Sequence, residues 1–319
     1  MVDEQSLRNK IDVSEPSGMK LVEEIERLKT KKNALILAHN YQRAEVQDVA
    51  DFVGDSLELA RRAAEADADV IVFCGVDFMA ETAAVLNPDK KVLIPDAGAT
   101  CPMAQMLTAA ELRRVRAEHP DAAVVLYINT LAESKAEADC VCTSANAAAV
   151  VNAMDAETVI FGPDANLAYY VRRRSPKELV VVPERGLCPT HHQIALEDVL
   201  AARRQHPGAK LVAHPECVPE VQDAADHIAS TSGMVRFCRE DAAAEYLIAT
   251  EIGLLHRLRR ETPQKRFHAV SETAVCPQMK MHTLPKILRA LERERPTVTV
   301  PKETADAARE AIQRMLELE

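Results

Sequence analysis

The chain has 319 residues, 47% of them hydrophobic and 28% charged, enough to bury the cores of two or three ordinary domains. A formal net charge of -10 excludes a nucleic-acid backbone as the main partner, because that contact needs a clustered basic face. Aromatics amount to only 3%, with no Trp and six Phe, so the core must be built from Ala, Val, Leu and Ile, as buried parallel sheets are.

The amino-terminal MVDEQSLRNKIDVSEP is polar with no apolar leader, and no run approaches the roughly 18 apolar residues of a membrane span, so a cytoplasmic protein off the membrane is expected. In that compartment eight cysteines serve as metal ligands, catalytic thiols or core residues more readily than as disulfides. A helix over VEEIERLKTKK leads into the strand-like run ALILA, followed by the helical GDSLELARR and two further strand signals, DVIVFC and KVLIP. The pattern then returns. A helix AAELRRVRAEHP, stopped at His-Pro, precedes VVLY, ETVIFG and ELVVVP; a helix LEDVLAARRQHP precedes KLVA, MVRFC and RFHAV. A last helix, LPKILRALERERP, is expected to pack back on the first copy beside VEEIERLKTKK.

The repeat can be measured. AHNYQRAEVQDVAD and AHPECVPEVQDAAD share eight of fourteen positions, and VVLYINTLAESKAEAD matches them in register. Asp51, Asp139 and Asp226 form one column, Glu45, Glu133 and Glu220 a second, and His39, Tyr127 and His214 a third. A period of 87 or 88 residues, each with alternating helices and strands, predicts an α/β protein of three homologous three-layer α/β/α domains with parallel sheets around a pseudo-threefold axis. The expected domains are 1–101, with 277–319 packing back on it, 102–188 and 189–276.

Three cysteines obey the same period. Cys101, Cys188 and Cys276 each follow the last strand of a repeat and each precede Pro, in TCPM, LCPT and VCPQ; the other five do neither. One such Cys is ordinarily a small core residue. Three in equivalent Pro turns point to a shared ligand set. A structural zinc normally takes four protein ligands and a 4Fe-4S cluster four cysteines, so three thiolates would leave one iron open as a Lewis acid.

Ligands of open parallel sheets lie beyond the carboxyl ends of the strands. There the first strands end in His39 and Tyr41, Tyr127 and Asn129, and His214 and Glu216, spaced by two and so aimed alike. Ser56, Ser144 and Thr231 stand before helical runs and read as amino-terminal caps. With the helix ends behind them they suit a small ligand carrying several carboxylates or a phosphate. No GxGxxG or phosphate-loop motif is present. His191 and His192, just after Cys188, and Lys280 and His282, just after Cys276, are either solvated or close to substrate. Cys140 and Cys142 read as strand or loop thiols.

The segments AHNYQ, VQDVADFVGDSLELAR, GVDFMAETA, NPDKKVLIPD, YINT, CTSANA, GPDANLA and TEIGLLHRL resemble the quinolinate synthase family over nearly the whole chain, from about Leu35 to His282. The resemblance implies a 4Fe-4S cluster on Cys101, Cys188 and Cys276. It also implies condensation of iminoaspartate (iminosuccinate) with dihydroxyacetone phosphate to quinolinate, phosphate and water, with functional coupling to L-aspartate oxidase in NAD biosynthesis. Substrate would meet His39, Ser56, Tyr127, Asn129, Ser144, His191, His214, Glu216 and Thr231, with Tyr41, His214 and Glu216 moving protons. His191 rather than His192 takes the role by spacing, since the LCPTHH stretch departs from the family's usual single His. Two competing readings are a cluster that merely staples three domains and a dehydratase acting on another hydroxy acid.

Overall fold

The computed structural model describes residues 16–318; the polar start, 1–15, lies outside the described residues. In the first repeat α1 (Pro16–Lys31) leads to β1 (Ala34–His39), α2 (Ala44–Val49), β2 (Phe52–Gly54), α3 (Ser56–Glu65), β3 (Val70–Cys74), α4 (Asp77–Leu86) and β4 (Lys91–Leu93). The second runs α5 (Ala109–Glu118), β5 (Ala123–Tyr127), α6 (Ala132–Lys135), β6 (Cys140–Cys142), α7 (Ala147–Ala153), β7 (Thr158–Gly162), α8 (Ala165–Arg172) and β8 (Glu178–Val181). The third runs α9 (Pro189–His192), α10 (Leu196–Gln205), β9 (Lys210–Ala213), α11 (Pro219–Ala224), β10 (His227–Ile228), α12 (Thr231–Glu240), β11 (Glu245–Ala249), α13 (Leu254–Glu261) and β12 (Arg266–Ala269). Helices α14 (Leu284–Arg293) and α15 (Lys302–Glu317) follow.

Each repeat folds one four-stranded sheet, and in each the first strand sits between the second and third, with the fourth at the far edge. Every pairing between these strands is parallel. The molecule is therefore an α/β protein of three like sheets flanked by helices, and the buried stretches of its strands are largely apolar because both faces are covered, with charged residues such as Lys91, Glu178 and Arg266 at the strand starts. Two compact units form: the first repeat with Cys276–Val300, and the second and third repeats with Pro301–Glu319.

The aspartate column has a structural cause. Asp51, Asp139 and Asp226 each accept the backbone N–H of the first strand at 2.7 Å, from Ile36, Val124 and Leu211, and each returns its own N–H to the same residue's carbonyl at 2.9 Å. A cation from the helix before the strand, Lys29, Arg116 or Arg203, pairs with each carboxylate. The clamp ties helix, strand and connection together once per period.

Two segments depart from the sequence reading. MVRFC is not a strand but part of α12, where Met234, Val235 and Cys238 bury one helical face; the strand is β11, EYLIA. A short apolar run does not by itself distinguish the two states, and the period, which places β11 opposite β7, decides it. The tail also divides. Leu284, Ile287 and Leu291 of α14 join the core of the first sheet with Ile25 and Leu28 of α1, each buried side chain contributing roughly 1.5–3 kcal/mol. Helix α15 instead lies on α6 and β6 of the second repeat, burying Ala308, Ala311, Ile312 and Met315, with Arg314 donating to the Asp139 carbonyl at 2.6 Å. Its small apolar face suits that flat edge, so the expectation that all of 277–319 returns to the first repeat is corrected beyond residue 300.

Candidate active site

Exposure sorts the cysteines as the period does. Cys101, Cys188 and Cys276 are half-buried, whereas Cys74, Cys140, Cys142, Cys217 and Cys238 are fully buried. Burial pushes the Cys140 thiol up to about 11 and Cys238 to about 12, and Cys74, Cys142 and Cys217 higher still. A thiol held protonated is a poor metal ligand. The three in Cys-Pro turns are the cysteines whose side chains are not sealed in the core.

Two of these turns share a support that the sequence reading missed. In the first unit Asp77, opening α4, accepts the backbone N–H of Cys101 at 2.9 Å and that of Phe78 at 2.9 Å. In the second unit Asp164, capping α8, accepts the N–H of Leu167 at 2.7 Å, and the backbone amides of Asn166 and Cys188 also favour its anion. Asp77, Asp164 and Glu251 are spaced by 87 residues, so the period carries the signal in the sequence.

In the first unit His39 ends β1, buried, with its Nδ1 accepting the N–H of Tyr41 at 3.1 Å and its ring edge-on to the Tyr41 ring at 4.6 Å. Gln47 donates to the carbonyls of Asn40 and Gln42, which shapes the turn after the strand. Lys280 donates to the Tyr41 carbonyl and Arg43 to the Lys280 carbonyl, so Lys280 is a buried tie rather than a solvated charge. His282 is fully buried and donates from Nε2 to the Gly75 carbonyl at 2.7 Å.

The second unit repeats the device. Glu216 N–H donates to His214 Nδ1 at 3.3 Å, and Gln222 donates to the carbonyls of Pro215 and Cys217. In the neutral form, a ring whose Nδ1 accepts from a backbone amide carries its proton on Nε2, so His39 and His214 both present an Nε2–H donor. Around Glu216 the sequence-named residues gather. Tyr127 donates its hydroxyl to Oε1 at 2.6 Å and Asn129 its amide at 3.3 Å, while His191 Nδ1 lies 2.6 Å from Oε2. The same His191 Nδ1 is 3.1 Å from Cys188 Sγ, its Nε2 is 2.8 Å from Thr250 Oγ1, and its ring stacks on His214 at 4.6 Å. His192 is exposed. Thr250 was not singled out in the sequence, because a lone Thr after a strand carries no signal there.

Burial works against the Glu216 anion, but His191, then His214, with the hydroxyl of Tyr127, outweigh it and hold the carboxyl below its ordinary range. Asp164 goes the other way: burial first, then the charge of Glu216, raises it well above its ordinary range. Two neighbouring carboxyls pushed apart in this way separate an ionised acceptor from a neutral group.

The capping assignment of the hydroxyls needs correction. Asp55 caps α3 and Ser230 caps α12, accepting from Gly233 N–H at 3.2 Å, while Asn146 stands at the cap position of α7. Ser56 and Thr231 are instead the first helical residues, and Ser144 lies in the preceding turn. Ser56 and Thr231 thus stand one residue after the cap position and Ser144 two residues before it, so the cap position belongs to another residue in each case.

Each repeat contributes one half-exposed thiol, and beside Glu216 the buried Oδ1 of Asn129 has no hydrogen-bond partner among the described residues. Sγ of Cys188, His191 and Glu216 also bring donor atoms within 4.8 Å of one another.

A triplicated parallel α/β scaffold that gathers a buried carboxylate, two imidazoles and a half-exposed thiol beyond its strand ends is the arrangement of a candidate acid–base active site with side chains able to bind a metal. The family model described as quinolinate synthetase A protein matches residues 23–317. The chain is 57% identical to the quinolinate synthase of Methanoregula boonei over 298 residues, 93% of this chain and 98% of the relative. It is 55% identical to those of Methanosarcina barkeri, over 93% of this chain and 97% of the relative, and Pyrococcus horikoshii, over 94% and 99%. The chain belongs to the quinolinate synthase family.

Proposed function

We propose that this enzyme condenses iminoaspartate with dihydroxyacetone phosphate to give quinolinate, phosphate and water, with one 4Fe-4S cluster held by Cys101, Cys188 and Cys276. The cluster, when bound, supplies an open iron that acts as a Lewis acid. The observation that carries the reading is the Glu216 carboxylate, kept ionised between Tyr127 and His191 and adjoining the half-exposed Cys188.

Glu216 is the base for carbon-bound protons during isomerisation and cyclisation, with Tyr127 and His191 restraining its charge until substrate arrives. His214, with its proton on Nε2, donates to a developing oxyanion or leaving hydroxyl, and His39 does the same from the first repeat. Tyr41 serves with them as a proton donor. Ser56 and Thr231, at the helix starts, and Ser144, in the turn before α7, bind carboxylate and phosphate oxygens through hydroxyl and amide donors. Iminoaspartate is unstable in water, which favours functional coupling to L-aspartate oxidase as its source.

The test is anaerobic purification, iron and sulfide counts, and an assay for quinolinate from the two substrates. About four irons per chain with product formation supports the proposal. A full cluster with no quinolinate would favour the staple reading, and turnover of a different hydroxy acid the dehydratase reading.

A further inference from the structure

The third repeat carries a second convergence of metal-ligating side chains, at the opposite end of its sheet from His214 and Glu216. His206 ends α10, Glu245 is the first residue of β11, and His268 lies on the neighbouring strand β12. His206 Nδ1 is 3.0 Å and His268 Nε2 2.8 Å from the same oxygen of Glu245, Oε1. The two rings stack at 3.6 Å with 22° between their planes. All three donor atoms lie within 4.8 Å of one another. We propose that His206, Glu245 and His268 form a binding site for a divalent cation of the zinc class, separate from the iron–sulfur ligands.

The geometry asks for little change. A tetrahedral ion with bonds of about 2.1 Å holds its ligands roughly 3.4 Å apart, so each nitrogen has to retreat from Oε1 by about half an ångström. Two imidazoles and one carboxylate are a frequent three-ligand set for zinc, with water in the fourth position. The side chains are 27%, 20% and 29% exposed, which leaves room for that water. Arg266 holds the other oxygen, Oε2, at 3.1 Å and so fixes the carboxylate with Oε1 turned to the imidazoles. Arginine, together with the two histidines, holds Glu245 down at about 2, so the carboxylate enters as an anion.

The second repeat shows that the scaffold does not require the cluster. His119 ends α5 in the same backbone conformation as His206, φ -131° and ψ near 69° in both, so a His at this helix stop is part of the repeated frame. The sheet registers align Glu245 with Thr158 and His268 with Val180, neither of which ligates metal. Beside this His the third repeat thus carries two potential ligands that the second repeat lacks.

The test uses the cluster-loaded enzyme under anaerobic conditions, titrated with Zn2+ and then Co2+, beside Glu245→Thr and His268→Val, which restore the residues the second repeat folds with. One Zn2+ per chain is expected, weakened at least tenfold in each variant, with iron content unchanged. Bound Co2+ should show the visible bands of a nitrogen–oxygen site without sulfur charge transfer. Equal zinc affinity in the variants, no zinc uptake by the intact enzyme, or a sulfur charge-transfer band would each overturn the assignment.

Discussion

Tyr127, from the second repeat, donates its hydroxyl to Glu216 of the third at 2.6 Å, so the middle copy of a repeated strand end tunes the carboxylate of the last. A hydrogen bond to a charged group contributes about 1.5–3 kcal/mol, which is a factor of roughly ten to a hundred and fifty. Tyr127→Phe is expected to lower kcat/KM by that range with the fold and iron content intact. Steady-state kinetics on anaerobic enzyme, with circular dichroism alongside, would measure it. Unchanged kinetics would show that the phenol does not act on Glu216 in turnover.

Glu216→Gln should abolish quinolinate formation while leaving iron and sulfide at wild-type levels, because the amide cannot take a proton. Quinolinate production at near wild-type rate by this variant would remove Glu216 as the base.

Asp77 accepts the backbone N–H of Cys101 at 2.9 Å. Removing an acceptor from a buried amide costs about 1–3 kcal/mol. Asp77→Ala should therefore shorten the lifetime of the bound iron under a chelator several-fold, with Asp77→Asn intermediate because it keeps an acceptor. The readout is the rate of absorbance loss, independent of catalysis. Identical rates in all three proteins would count against a positioning role.

Burial lowers His282 to about 4 from 6.5, against the opposing hydrogen bond to the Gly75 carbonyl, and its Nδ1 has no partner among the described residues. The unfolded chain takes up the proton first as acid is added. The stability that His282 contributes is thus full above pH 6.5 and is lost as pH falls from 6.5 toward 4, on the order of 3 kcal/mol in all. Urea midpoints at pH 7 and 4.5 should converge in His282→Asn relative to wild type. Parallel pH dependence in the two proteins would refute this.

Much of this architecture was legible because the chain repeats itself. The aspartate column could be seen in the sequence, and the clamp it makes with Ile36, Val124 and Leu211 explains why it recurs. The Cys-Pro column was equally visible. What failed was local. Periodicity over five residues could not separate MVRFC as helix from EYLIA as strand, and cap assignment slipped by one residue at Ser56 and Thr231. Thr250 was silent because its role depends on a neighbour distant in sequence, His191, that only the folded chain supplies, whereas Asp164 could be read from the period it shares with Asp77 and Glu251.

The three half-exposed cysteines, and not the five buried ones, are the proposed cluster ligands. Iron content and the electron paramagnetic resonance signal after anaerobic reconstitution test this directly in Cys101→Ala, Cys188→Ala and Cys276→Ala, with Cys140→Ala and Cys238→Ala as controls. The expected result is about four irons per chain in wild type and controls, and loss of the wild-type signal in each of the first three. A wild-type signal at full iron in any of those three would contradict the account.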